Sequence, residues 1–182
     1  MILTAIIILA LALAFYNGAR RGLVMQLILT AGYIITFVVA KTQSGNLAKK
    51  LDLVVPYPNP NAESKLEFFK GEALFHLDKA FYTILSFVLI LIIGWLLTRF
   101  VGMLCNSLTF FPIVKQANFL GGGLISLLVS YIGIFFVLVM LATIPMDGIQ
   151  NLLRSSGIAK FMINDTPYFS NMIFEWINQI MK

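Results

Sequence analysis

The stretch "YNGARRGLVMQL", Tyr16 to Leu27, decides how this chain is read. Apolar runs flank it on both sides, Ile2 to Tyr16 before it and Leu23 to Ala40 after it. Arg20 and Arg21, bracketed by Gly18 and Gly22, interrupt what would otherwise be one long apolar segment. A guanidinium at the centre of a bilayer costs at least about 2.5 kcal/mol. At the bilayer surface its stem can snorkel and its head can bond lipid phosphate. The arginine pair therefore pins a turn to one membrane face. Gly18 and Gly22 suit that turn, because glycine tolerates positive φ and lets backbones approach. They also have the small-xxx-small spacing that favours close helix contact.

Composition supports a membrane setting. Of 182 residues, 59% are hydrophobic and only 12% charged, about half the charged share of a soluble domain. The formal net charge is +5, but the basic residues sit between apolar runs instead of forming one patch. That pattern speaks for membrane orientation and against nucleic-acid binding. Four spans emerge, at about 2–18, 23–40, 80–98 and 119–144. The first apolar run, fifteen residues from Ile2 to Tyr16, covers only about 22 Å and needs helical extension through Gly18 to cross. A cleaved signal peptide fits it poorly, since the positive charge follows the apolar run. The fold class is an all-α integral membrane protein. Four transmembrane helices form two hairpins, with a C-terminal amphipathic helix.

Between the second and third spans lies a polar insert, 41–79, with six lysines and five acidic residues. "PYPNPN" breaks helix within it. On either side, "NLAKKLDLVV" and "SKLEFFKGEALFHL" have the pattern of short surface helices, with Leu66, Phe69, Ala73 and Leu77 on one face. A re-entrant or pore-covering element is the sharper alternative. In the tail, 146–182, Asp165 and Thr166 are available as caps and Pro167 stands at a first-turn position. Phe169, Met172, Ile173, Trp176, Ile177 and Ile180 then mark an apolar stripe. This predicts a helix on the membrane surface, with Trp176 as its anchor, or one packed on a neighbouring subunit.

A stretch similar to the opening one follows the third span. Aligning "RGLVMQLILTAG" with "GGLISLLVSYIG" pairs Gly22 with Gly123, Leu23 with Leu124, Leu27 with Leu128 and Gly32 with Gly133. A duplication of hairpins and a chance match of frequent residues both account for it. "GARRGLVMQL" after a short first span, with "QANFLGGGLISLL" before the fourth, resembles the CvpA family, the colicin V production proteins of bacteria. Arg21-Gly22-Leu23 is the more telling motif, and Asn118 with Gly121, Gly122 or Gly123 is the second. The resemblance covers nearly the whole chain, apart from a longer insert. It implies a multi-pass protein of the bacterial cytoplasmic membrane, linked to toxin production or export and to envelope tolerance. Some relatives carry an outward-facing serine-protease domain after four spans, and none is expected in this length of chain.

No enzyme is expected, and no metal or cofactor. The spans contain no Asp, Glu, His or Lys. Ser86, Ser126 and Ser130 have no nearby base in sequence and are expected to bond helix carbonyls. Cys105 and His76 lack partners at ligand spacing. A scaffold for export or envelope proteins is the leading function class. An oligomeric small-solute or ion channel is the alternative, in which Gly121–Gly123 opens the fourth span as a broken helix able to meet an anion. A homo-oligomer is expected, with Gly32 and Gly133 near helix contacts. Arg20, Arg21, Arg99 and Lys115 flank the short connectors. The positive-inside rule then places those connectors in the cytoplasm and both termini outside, although the lysines of the insert count against it.

Overall fold

The computed structural model describes residues 2–57, 68, 77–104 and 115–181, and every regular element among them is helical. Four helices are long and apolar enough to cross a membrane: α1 (Ile2–Arg21), α2 (Leu23–Leu51), α3 (Leu77–Leu104) and α4 (Lys115–Ala142). Three short helices follow, α5 (Asp147–Arg154), α6 (Gly157–Asp165) and α7 (Phe169–Met181). The four spans expected from sequence are present, but their bounds differ. α1 runs on to Arg21, and its 20 residues reach about 30 Å, enough for the hydrocarbon core. The arginines are thus the last turn of a helix, where cations also complement the helix dipole.

The polar insert is shorter than the sequence suggests. α2 continues through Leu51, so "NLAKKL" forms its final turns and not a separate surface helix. Apolar composition ends near Ala40, but the polar residues that follow include helix-competent lysines and no proline before Pro56, and the helix persists to Leu51. Most of "SKLEFFKGEALFHL" lies outside the described residues, as do His76 and Cys105. α3 begins at Leu77, which is fully buried.

The chain divides into two compact units. Unit 2 comprises Ile7–Thr42 and Leu89–Ile134, and holds the site described below. Unit 1 comprises Met1–Ile6, Gln43–Val88 and Phe135–Lys182. The problem unit 1 solves is the end of α4. Pro145 has no amide proton and stops the helix, leaving the last carbonyls without intrahelical donors. Side chains take them instead. Gln150 Nε2 donates to the oxygens of Ala142 and Ile144 at 3.2 and 2.8 Å. The Tyr57 hydroxyl donates to that of Thr143 at 2.9 Å. Tyr57 itself packs against Phe81 and Tyr82, with ring centroids 5.0 and 6.4 Å away.

The tail is three helices where one was expected. Ser156 caps α6, accepting from the Ala159 amide at 3.2 Å, and its hydroxyl meets Thr4 Oγ1 of α1 at 2.9 Å. Thr166 ends α6, and Tyr168, at φ +67°, turns the chain into α7. Pro167 therefore precedes α7 instead of opening it. The apolar stripe of α7 is covered by the chain itself: Ile173 and Ile177 are buried, Phe169 lies 6.2 and 6.0 Å from Phe135 and Phe136, and half-buried Trp176 stands edge-on to Phe87 at 5.4 Å. An amphipathic stripe needs an apolar cover, and here α3 and α4 supply it.

Burial and the nearby Asp78 and Tyr82 push the Tyr57 phenol up to about 12. Its folded value exceeds the usual value near 10, so its stabilisation is complete below about pH 10 and is lost as pH rises toward 12. The difference between spectrophotometric tyrosine titrations of the wild type and Tyr57→Phe should show a midpoint near 12. A midpoint near the ordinary value would contradict the packed environment. Tyr57→Phe should cost about 1 kcal/mol through the lost bond to α4.

Candidate functional site

The single residue between α1 and α2 is Gly22, at φ +84°. That left-handed backbone is one glycine adopts without steric penalty. Hydrogen bonds run through the break, from the Gly22 amide to Gly18 O and from the Gln26 amide to Gly22 O, both 3.1 Å. Leu23 opens α2, and its amide has no carbonyl one turn behind it within α2. Asn118 Oδ1, from α4, accepts that proton at 2.6 Å. The sequence motif built on Asn118 thus has a physical role, as a cap supplied from another helix.

From this bond α1 and α4 run antiparallel with a contact at every turn. Gly22 meets Asn118, Gly18 meets Gly122 and Ser126, and the Ser126 hydroxyl donates to Ala14 O at 2.8 Å. A Cβ on Gly122 would stand 2.6 Å from Gly18 O and 2.7 Å from the carbonyl carbon of Gly22. Backbone touches backbone there, which only glycine allows. One on Gly123 would stand 2.7 Å from the Phe15 ring, and one on Gly121 2.9 Å from Leu23. The glycine triplet is thus a packing surface inside α4. Because α4 starts at Lys115 and not near Phe119, the triplet lies a turn or more from the helix end, and the broken helix with open amides invoked for the channel alternative is not formed.

A second pair of faces joins α2 to α3 through a motif that sequence reading missed. "GYIIT", Gly32–Thr36, and "GWLLT", Gly94–Thr98, lie antiparallel, so each glycine receives the other's threonine. A Cβ on Gly32 would stand 2.5 Å from Thr98 Cγ2, and one on Gly94 would collide with Thr36. Thr36 also bonds Gly32 O at 2.9 Å. Gly102 admits Leu29 and Met25 in the same way. The five-residue echo was visible in the sequence, but nothing in one sequence says that its two copies face each other antiparallel. The parallel alignment has no counterpart in backbone geometry: Gly22 breaks a helix and Gly123 lies inside one. Gly32 packs within the chain, whereas Gly133 is exposed with nothing within 4 Å of its missing Cβ.

The aromatic residues of that echo, Tyr33 and Trp95, hold Arg99. Its Nε donates to the Tyr33 hydroxyl at 3.2 Å, and its Cζ lies 5.0 Å from the Trp95 ring centroid. Arg20 lies over Tyr16, Cζ 5.7 Å from the ring. Arg21 is half-buried, and its electrostatic neighbours are Arg99 and Tyr33. Arg20 and Arg21, singled out together, thus part company. Sequence reading counted Arg99 only for orientation. The remaining polar atom of note is Gln26 Oε1, which is buried and has no donor among the described residues. Among the described residues, no three His, Cys, Asp or Glu gather where they could hold a metal ion.

A family model described as "Colicin V production protein" matches residues 3–167, all of the chain except its start and the region of α7. A transmembrane protein of Bacillus subtilis (strain 168), YshB, described as uncharacterised, is 29% identical over 174 residues, covering 95% of this chain and 96% of the relative. No solved structure matches.

The junction makes a graded prediction. Asn118→Ala leaves the Leu23 amide unpaired away from water and should cost about 1–3 kcal/mol. Gly122→Leu should destabilise more, because backbone cannot yield. Gly133→Leu should change monomer stability little. Melting temperatures in a mild detergent would rank the three variants. Equal losses for Gly122→Leu and Gly133→Leu would refute the α1–α4 contact.

Proposed function

The chain belongs to the colicin V production protein family, and on that premise we propose that it is a non-enzymatic scaffold in the bacterial cytoplasmic membrane. It serves production or export of a colicin V-type toxin and envelope homeostasis, working as a homo-oligomer that docks export or envelope proteins. One observation carries this reading. The glycines and hydroxyls of the spans are spent on helix contacts and helix carbonyls, at Gly18, Gly32, Gly94, Gly122, Thr30, Thr36 and Ser126. Their pairing supports a fixed assembly more than a polar path. The apolar faces left outward, including Leu124, Leu128 and Gly133, are available to lipid or a second copy. Trp176, half-buried, keeps an interfacial anchoring role within this proposal.

The second reading is a small-solute or ion pathway formed by an oligomer. Gln26 favours it, because an unpartnered carboxamide oxygen is costly in an apolar setting and could meet a passing donor. Reconstitution separates the two. Proteoliposomes should show no added permeability to ions or small solutes, while crosslinking should give an oligomer that Gly133→Leu weakens. Protein-dependent flux abolished by Gln26→Leu would replace the scaffold with the pathway.

In the proposed topology the arginine junction faces the cytoplasm and both termini face outward. Asn61→Cys, Gln116→Cys and Gln179→Cys would be made singly in a Cys105→Ser background and treated with a membrane-impermeant maleimide. The first and third should label on cells with a permeabilised outer barrier, and the second only after lysis. The reverse pattern would invert the topology.

A further inference from the structure

Unit 2 contains five cations, Arg20, Arg21, Lys41, Arg99 and Lys115, and no aspartate or glutamate; all eight acidic residues of the chain fall in unit 1. Within it, Arg99 is fixed by two aromatic side chains, Tyr33 and Trp95, and the half-buried Arg21 lies near enough for the charge of Arg99 to act on it. Like charges repel, and among the described residues the neighbours that act on Arg21 include no carboxylate. The arrangement is nevertheless a built one. Arg99 is held from below by the Trp95 ring at 5.0 Å and from the side by the Tyr33 hydroxyl at 3.2 Å. That bond uses Nε and leaves the two terminal nitrogens side by side, the fork that grips an oxyanion with two parallel bonds. Arg21 adds a second guanidinium from the last turn of α1, and the Tyr33 hydroxyl keeps its own proton to donate. Glycine–threonine contacts on either side of Tyr33 and Trp95 fix the helices that carry them.

We infer that Arg21, Arg99 and Tyr33 form a binding site for one phosphate oxyanion, the headgroup of an anionic phospholipid such as phosphatidylglycerol. A phosphodiester supplies the negative charge that unit 2 lacks. It also accepts several charge-assisted bonds at once, which a chloride or a single carboxylate does less well. Trp95 is exposed beside the site, and indoles favour the headgroup level of a bilayer, where a lipid phosphate is already concentrated. Free phosphate shares the recognising chemistry, but arrives from water without the acyl chains that the neighbouring exposed Leu96, Leu97 and Phe100 would cover. The inference is independent of the scaffold reading, since a scaffold and a channel could each hold such a lipid.

Native mass spectrometry of the full chain released from mild detergent tests it. Micelles would be doped with phosphatidylglycerol, with phosphatidylcholine, or with phosphatidylcholine plus inorganic phosphate. The wild type should retain one phosphatidylglycerol per chain in preference to phosphatidylcholine. Arg99→Gln should lower that retention roughly tenfold, the loss expected for a charge-assisted pair. Arg21→Gln should do the same, and Tyr33→Phe, which deletes one hydroxyl and preserves the fold, should lower it several-fold. Lys41→Gln, which removes a charge elsewhere in unit 2, should leave it unchanged. Binding of inorganic phosphate with the same dependence on Arg99 and Tyr33, without lipid preference, would uphold the phosphate site and overturn its lipid source. Wild-type retention in Arg99→Gln or in Tyr33→Phe, or an equal loss in Lys41→Gln, would overturn the site itself.

Discussion

One amide proton organises the membrane part of this molecule. Gly22 lets α2 begin a single residue after α1 ends, so the Leu23 amide starts a helix with no preceding turn of its own to bond. In water the solvent would satisfy it. In an apolar surrounding it must find a protein acceptor, and Asn118 provides one at 2.6 Å. That requirement brings the first turns of α4 against the junction. Once they are there, side chains larger than hydrogen at Gly18 and Gly122 would force the two backbones apart. The glycines and the asparagine are parts of one constraint.

The same economy governs the other packed faces. A bilayer offers little hydrophobic drive for helices to associate, so association rests on close contact and internal hydrogen bonding. The α1–α4 face uses glycine against backbone and serine against a carbonyl. The α2–α3 face uses threonine against glycine, once in each direction. Hydroxyls that would be liabilities in lipid are turned inward, as with Thr36 onto Gly32 and Ser86 onto Tyr82. In unit 1, Tyr57 and Gln150 perform for the end of α4 what Asn118 performs for the start of α2. Arg99 stands apart, held by an aromatic ring and a phenol with no acid paired to it among the described residues.

Much of the fold was legible because hydropathy alone demands it. Four apolar runs required four long apolar helices, and the glycines around two arginines marked the tight turn that Gly22 makes. Two of the three intramembrane serines behaved as expected: Ser86 bonds the carbonyl one turn back and Ser126 one on a neighbouring helix. Helix ends were not legible, since α2 carries on for eleven residues past Ala40 through lysines that are as helix-competent as they are polar. Nor could a periodic stripe say what covers it: the Phe169–Ile177 face of α7 reads identically for lipid and for Phe135, Phe136 and Phe87. Asn118 was recognisable as a motif but mute as to role, because its partner lies 95 residues away in sequence. Arg99 escaped notice for the same reason: the phenol it touches is 66 residues distant.

That separation has a consequence for biogenesis. The first hairpin is synthesised with its turn incomplete, and the residue that completes it follows 95 residues later. At ordinary translation speeds of about 5–20 residues per second, the wait lasts on the order of 5–20 s. During that interval the nascent junction holds an unsatisfied amide, two glycine faces without a neighbour and a pair of guanidiniums. Such an intermediate is a natural client for an insertase or a membrane chaperone. A chain stalled before α4 emerges would keep that amide and those glycine faces uncovered for as long as the stall lasts.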